Sequence, residues 1–204
     1  VAARAAFIDR DGVLNRDLGH VHRIEDFHWL PGALDGLRRL QGAGWRLVVI
    51  TNQAGIARGL YSEAQYQQLT AHMLHALRDA GAQLAGVYHC PHHPHIGHTA
   101  LTRTCVCRKP APGLLHRAAA DLQLDLASSV LIGDKRSDLE AGRAAGLARC
   151  ILVASGHPTC ADDQALADAF CPDLAAAASL LTASAAAQAT PRKAVTDEVL
   201  HSNG

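Results

Sequence analysis

The sequence has no excess of charge of either sign: 19 lysines and arginines face 19 aspartates and glutamates in 204 residues. Such a chain carries no global basic field, so nucleic acid and anionic membrane surfaces are not favoured as partners. It also lacks any apolar run approaching the ~20 residues that a membrane-spanning helix needs. No internal repeat is visible, and the opening Val-Ala-Ala-Arg-Ala-Ala-Phe-Ile-Asp is too short in its apolar part for a secretory signal. These absences set the expectation of a cytoplasmic monomer acting on small molecules, with no nucleic-acid and no membrane partner. The length fits one domain, assigned to residues 1–182. Residues 183–204 are low in complexity and without an apolar stripe, and are expected to form a mobile tail.

What is present begins with Phe7-Ile8-Asp9-Arg10-Asp11-Gly12-Val13. The apolar segment before it reads as a buried strand, which puts Asp9 and Asp11 at the strand's carboxyl end. Two residues apart in a strand, they would share a face. Two such carboxylates repel, so a divalent cation, a shared proton or a cationic phosphate clamp must compensate them. A solvated turn is the competing reading, since Asp and Gly are common turn formers.

Further strands are expected at Arg46–Thr51, Leu84–Tyr88, Val130–Ile132 and Cys150–Val153. Helices are expected from Pro31 and Gly32 to an end at Gly42–Gly44, from the capping box of Ser62 and Gln65 to about Ala80, and over Pro112–Leu122, Lys135–Ala145 and Leu174–Leu181. Residues 14–30 read as a loop returning over the carboxyl edge. Alternating strands and helices predict an α/β fold, a Rossmann-like three-layer sandwich with a mainly parallel sheet covered on both faces. Right-handed crossovers bring all strand carboxyl ends to one edge, where ligands bind in open α/β sheets. Asp9 and Asp11, Thr51 and Asn52, and Asp134 converge there.

Gly133-Asp134-Lys135-x-x-Asp138 follows the strand Val-Leu-Ile and opens a helix. Asp134 can complete a cation site with Asp9, with Lys135 adjacent to it and Asp138 in support one turn on. The alternative is that Asp134 merely caps the helix. Arg108-Lys109-Pro110 supplies positive charge that can hold phosphoryl oxygens, as can the Thr51 hydroxyl; a solvated surface turn is the competing reading of that tripeptide. An anionic nucleophile, a divalent cation, a lysine and a hydroxyl suit phosphoryl transfer. Mg²⁺ is the natural cation. Asp9 would attack phosphorus, and Asp11 would protonate the leaving oxygen and then deprotonate water.

Asp-x-Asp-Gly-Val, then Val-Val-Ile-Thr-Asn, Arg-Lys-Pro and Gly-Asp-Lys-x-x-Asp, in that order over residues 5–153, resemble the haloacid dehalogenase superfamily of phosphatases. The resemblance implies Asp9 as nucleophile and Asp11 as acid/base, and Thr51 and Lys109 as holders of the phosphoryl group. It implies Asp9, the Asp11 carbonyl and Asp134 as Mg²⁺ ligands. No long insertion separates the motifs, which implies a member without a full cap domain and with an open site.

Cysteines and histidines cluster in the insert 89–109. Cys90, His92, Cys105 and Cys107 make a Cys₃His set suited to a closed, structural tetrahedral zinc site that folds this polar loop. His93 is the competing ligand, with His89, His95 and His98 as spares, and reduced free cysteines are the alternative to zinc. Cys-Pro-His-His-Pro, Cys-x-Cys-Arg-Lys-Pro and Thr51-Asn52-Gln53-Ala54-Gly55-Ile56-Ala57-Arg58-Gly59 are similar to the zinc-bearing D-glycero-D-manno-heptose 1,7-bisphosphate phosphatases. Their histidinol-phosphate phosphatase relatives usually carry Asp at the place of Ala54. The resemblance implies substrate contacts at Thr51, Asn52, Gln53, Ala54, Arg108 and Lys109, and at Asp17, Leu18, Gly19 and His20. Leu18 and His20 depart from the histidine and tyrosine common there. A histidinol or broader sugar phosphatase, and a zinc-stabilised phospho-ligand binding module without turnover, are the alternatives.

Overall fold

A computed structural model of the chain describes residues 2–97 and 100–188. Six strands form one parallel sheet: β1 (Ala5–Ile8), β2 (Arg46–Asn52), β3 (Gly86–Cys90), β4 (Val130–Gly133), β5 (Arg149–Val153) and β6 (Ala169–Cys171). Their spatial order is β3-β2-β1-β4-β5-β6, so the chain winds outwards first to one side of β1 and then to the other. The reversal falls between β1 and β4, which pair directly through Ala6–Val130, Phe7–Leu131 and Ile8–Ile132. A crevice opens at such a reversal because the two neighbouring connections leave in opposite directions.

The four inner strands β2, β1, β4 and β5 are apolar on both faces, and their alternate residues feed two separate cores. Ala6, Ile8, Leu47, Val49, Ile132 and Ile151 pack under α1 (Ala33–Gly42), α2 (Glu63–Asp79) and α6 (Leu174–Gln188). Ala5, Phe7, Val48, Ile50, Leu131 and Leu152 pack under α3 (Gly113–Leu122) and α4 (Arg136–Ala144). Burying each large aliphatic side chain contributes about 1.5–3 kcal/mol. The stripe of Leu37 and Leu40 on α1 meets Leu174, Ala177, Ala178 and Leu181 of α6 in the first core.

Helix starts follow local chemistry. Ser62 and Gln65 make a capping box at α2, with Gln65 N–H donating to Ser62 Oγ at 3.2 Å and Ser62 N–H to Gln65 Oε1 at 2.8 Å. At α4 the capping residue is Lys135, whose N–H donates to Asp138 Oδ2 at 3.0 Å. Asp134 therefore does not cap this helix, and its carboxylate is turned elsewhere.

Three expectations needed adjustment. Strand β3 lies two residues later than expected, at Gly86–Cys90, which brings Cys90 onto the sheet itself. A short helix α5 (Ala161–Leu166) and the edge strand β6 were not anticipated; β6 has three residues with Phe170 exposed, too short for an apolar pattern. Helix α6 continues to Gln188, past its expected end at Leu181. The rest of the expected tail, from residue 189, and His98 lie outside the described residues. No helix among the described residues is long and apolar enough to cross a membrane.

Candidate active site

Strand β1 stops at Ile8, and the chain turns at once: Leu14 and Asn15 N–H both donate to Arg10 O, and Gly12 adopts φ +89°. A side chain at Gly12 would lie 2.3 Å from Asp134 Oδ2, so the turn needs glycine for its conformation and for the approach of that carboxylate. Asp11 therefore lies in the turn, bridged to Asn15, rather than on an extended strand. Each aspartate has its own cation.

Asp9 meets Lys109, with Nζ 2.9 Å from Oδ1, while Arg10 N–H donates to the same oxygen at 2.8 Å. Asp11 receives the Arg10 guanidinium on both oxygens at 2.9 Å, together with Gln53 Nε2 and Asn15 Nδ2 at 3.0 Å each. Arg10 is a fully buried arginine, unreadable from sequence as the partner of Asp11.

Lys109 also pairs with Asp138 and donates to Ile50 O at 3.1 Å. Its backbone is tied to the end of β2 by a reciprocal pair: Lys109 N–H donates to Asn52 Oδ1 and Asn52 Nδ2 to Lys109 O, each at 3.1 Å. Burial opposes the charge on Lys109, but Asp138 and Asp9 outweigh it and raise its pKa well above the ordinary value. Burial pushes Asp9 up to about 7, with Asp138, Asp134 and Asp11 adding to it against the pull of Lys109.

Asp134 enters from β4, across the reversal of the sheet. Its Oδ2 receives His157 Nδ1 at 2.6 Å and His157 N–H at 3.2 Å; Oδ1 is buried with no hydrogen-bond partner. Burial raises its pKa, with Lys135 and His157 opposing. Lys135 is paired with Asp17, Nζ to Oδ2 at 3.3 Å. Asp9, Asp134 and Asp138 bring carboxylate oxygens within 4.8 Å of one another. Fully ionised, these three carboxylates would exceed by two charges the one ammonium buried among them, that of Lys109. The orphaned Asp134 oxygen and this surplus fit a divalent cation with oxygen ligands, as Mg²⁺ is.

Asp9, Asp11, Lys109, Lys135 and Asp138 line a cleft of about 510 Å³ that also takes in Asp17, Gly19, His20, Thr51, Asn52, Gln53, Ala54 and Arg108. Of the residues expected from sequence to touch substrate, Leu18 does not line it and is half exposed. Asn52 and Gln53 line the cleft, but their side chains are committed within the protein. Gln53 donates to Asp11 Oδ2 and to Thr51 Oγ1 (2.8 Å) and accepts from Tyr61 OH at 2.6 Å. Because Thr51 Oγ1 accepts there, its own hydrogen is free for a ligand. Arg58, Tyr61 and Ser137 line the cleft without having been assigned roles from sequence. His157 was also missed, since no motif links it to Asp134.

Beside the cleft, Cys90, His92, Cys105 and Cys107 converge. Cys107 Sγ lies 3.3 Å from Cys90 Sγ, Cys105 Sγ and His92 Nδ1, and Cys90 Sγ lies 3.6 Å from Cys105 Sγ and His92 Nδ1. These are not disulfide separations. A tetrahedral zinc with bonds of about 2.3 Å to sulfur sets its ligands about 3.8 Å apart, so the set fits that metal with slight expansion. Burial raises the Cys90 and Cys107 thiols, whereas hydrogen bonds from Cys107 and Cys90 outweigh burial at Cys105 and lower it. Arg103 lies 2.9 Å from His92 Nε2. A metal on Nδ1 leaves the proton on Nε2, so Arg103 must turn away when the site is loaded. His93 is not in the cluster; its ring faces Arg58.

The family model described as "HAD-hyrolase-like" matches residues 106–183. The D-glycero-alpha-D-manno-heptose-1,7-bisphosphate 7-phosphatase of Photorhabdus laumondii subsp. laumondii is 46% identical over 156 residues, covering 76% of this chain and 85% of that one. The D-glycero-beta-D-manno-heptose-1,7-bisphosphate 7-phosphatase of Escherichia coli (strain K12) is 43% identical, covering 80% and 86%. The crystal structure of D,D-heptose 1,7-bisphosphate phosphatase from B. bronchiseptica, complexed with magnesium and phosphate, superposes with a TM-score of 0.77 at 34% identity, over 89% of this chain and 99% of that one. Sheet order, acidic cluster and sequence likeness agree: the chain belongs to the haloacid dehalogenase-like hydrolases, in the family of the heptose 1,7-bisphosphate 7-phosphatases.

Proposed function

We propose that the protein removes the 7-phosphate of D-glycero-D-manno-heptose 1,7-bisphosphate, leaving the 1-phosphate for the synthesis of nucleotide-activated heptose in surface glycans. The observation that carries this reading is the pairing of Asp9 with Lys109 opposite Asp134, inside a cleft walled by Thr51-Asn52-Gln53-Ala54. The relatives named above act on this bisphosphate.

Asp9 is the nucleophile. Its carboxylate attacks phosphorus, the bond from phosphorus to the sugar oxygen breaks, and an aspartyl-phosphate forms. Lys109 and the free Thr51 hydrogen hold the phosphoryl oxygens. Asp11, whose oxygens accept from Arg10, Gln53 and Asn15 in this structure, would first turn from Arg10 and take up a proton, which it then gives to the leaving sugar oxygen. It then takes a proton from the water that attacks the aspartyl-phosphate, which frees phosphate and Asp9. Asp9, the Asp11 carbonyl and Asp134 would hold Mg²⁺, which when bound neutralises charge on the phosphoryl oxygens. Cys90, His92, Cys105 and Cys107 would hold a structural zinc. The cleft is complete within one chain, which supports action as a monomer on a small sugar phosphate, and we place that action in the cytoplasm.

Offering the purified protein the heptose bisphosphate and histidinol phosphate side by side tests the substrate. Preference for the bisphosphate is expected, and preference for histidinol phosphate overturns the reading. Asp9→Asn should reduce phosphate release to background in a folded protein; undiminished turnover would refute the mechanism.

A further inference from the structure

Tyr61 is buried at the wall of the cleft, and no step of the phosphoryl transfer described above uses it. Its hydroxyl donates to Gln53 Oε1 at 2.6 Å. Gln53 directly follows β2, and its backbone is fixed by its N–H, which donates to Cys90 O at 2.7 Å. Its side chain lies among four polar groups. Oε1 accepts from Tyr61 and, at 3.3 Å, from Arg10 Nη2. Nε2 donates to Thr51 Oγ1 at 2.8 Å and to Asp11 Oδ2 at 3.0 Å.

Which end of this amide faces Thr51 decides what the threonine can do. With Nε2 there, Thr51 Oγ1 accepts, and its hydrogen stays available to a phosphoryl oxygen. Rotated by half a turn, Gln53 would set Oε1 beside Thr51, and the hydroxyl would donate to it. The Thr51 hydrogen would then be spent inside the protein.

Two of the four neighbours hold the first orientation only in part. Arg10 Nη2 has two hydrogens and faces both Asp11 oxygens and Val21 O besides Gln53, which is the farthest of these acceptors. Asp11 holds it only while ionised and beside Gln53, whereas its acid/base role makes it take up a proton and turn away. Tyr61 is under neither limit. Gln53 Oε1 is the acceptor for its buried hydrogen, and reversal of the amide would strand that hydrogen. The ring itself is fixed. It stacks on His22, with centroids 4.8 Å apart and planes 8° apart, and a side chain at Gly55 would run into it.

We propose that Tyr61 is a positioning residue for the phosphoryl transfer: its bond to Gln53 keeps the Gln53 amide nitrogen on Thr51 and Asp11, and so keeps the Thr51 hydrogen for the substrate. This rests on the reading of the cleft as a phosphatase site and is independent of which sugar the phosphate leaves. The hydroxyl of Thr51 matters most as charge builds on the phosphoryl oxygens, so the contribution of Tyr61 belongs to kcat.

The test uses the zinc- and magnesium-loaded enzyme with heptose 1,7-bisphosphate and with p-nitrophenyl phosphate, whose leaving group departs without a proton. Tyr61→Phe retains the stacked ring and removes the donor. It should lower kcat on the order of 10-fold on both substrates, with little change in KM. In Gln53→Met, of similar size but without the amide, the same change should cost nothing further, because the bond is already gone. Tyr66→Phe, from the same small apolar cluster but outside this chain of bonds, should leave kcat unaltered. Melting curves identify any variant that fails to fold. An unaltered kcat in Tyr61→Phe, a loss confined to KM, or an equal loss with and without the Gln53 amide would overturn the proposal. An unaltered enzyme that hydrolyses the aryl phosphate but ignores the bisphosphate would refute the heptose assignment and leave the aryl phosphate to decide on Tyr61. One that hydrolyses neither would refute the phosphatase reading, and the role of Tyr61 with it.

Discussion

Asp9 is a carboxyl group buried among three others, and its burial has a measurable signature. Its pKa stands at about 7 in the folded chain without magnesium, against an ordinary 3.8. Between those values the folded state keeps a proton that the unfolded state has lost, so stability must fall as pH rises through that window and level off above it. Urea unfolding without added magnesium, at steps from about pH 4 to 8, should show this fall, and Asp9→Asn should flatten it. Magnesium, which favours the charged carboxylate, should shrink it in the unaltered protein. Asp134 makes a second case. His157 holds its Oδ2 and leaves Oδ1 without a partner, open to a cation. His157→Phe should raise the magnesium concentration needed for half-maximal turnover about 10-fold, whereas an unchanged requirement would make the contact incidental. Sequence motifs made the charges of Asp9, Asp134 and Lys109 legible. They could not show Arg10 as the partner of Asp11, nor His157, because burial and distant pairing leave no local pattern.

At the level of elements, the cysteine loop has a narrower task than its position before Lys109 suggests. Lys109 is fastened to β2 through Asn52 and Ile50, while Arg108 and His93 depend on the loop. Cys107→Ser should therefore lower the melting temperature, lower bound zinc below one equivalent per chain by elemental analysis, and raise KM for the bisphosphate more than it reduces kcat. Equal damage to both would mean that the loop also positions the lysine. Capping boxes and buried apolar runs made the main helices and strands readable. The short α5 and β6 were not, because six and three half-exposed residues give periodicity nothing to act on.

The whole molecule sets the precision of the site through its two cores. Sheet order places β1 and β4 side by side at the reversal, so both packed faces hold Asp9 and Asp134 in register. Leu37→Ala, at the contact of α1 with α6, should cost about 2–5 kcal/mol in urea unfolding while leaving kcat within a factor of two at temperatures where the protein stays folded. Ending the chain before Leu174 would remove that cover altogether and should prevent folding. Fold class was legible because alternation of elements leaves few layer arrangements; the end of α6 was not, because its alanine-rich last turns have no apolar contrast to mark it.

The reciprocal bonds between Asn52 and Lys109 make recognition a detachable part of this enzyme. Since the lysine is moored to the sheet and not to the loop preceding it, evolution can lengthen, shorten or replace residues 91–107 without disturbing the bond-breaking machinery. A loop transplanted from a relative with another diet should carry its substrate preference with it and find the chemistry already in place.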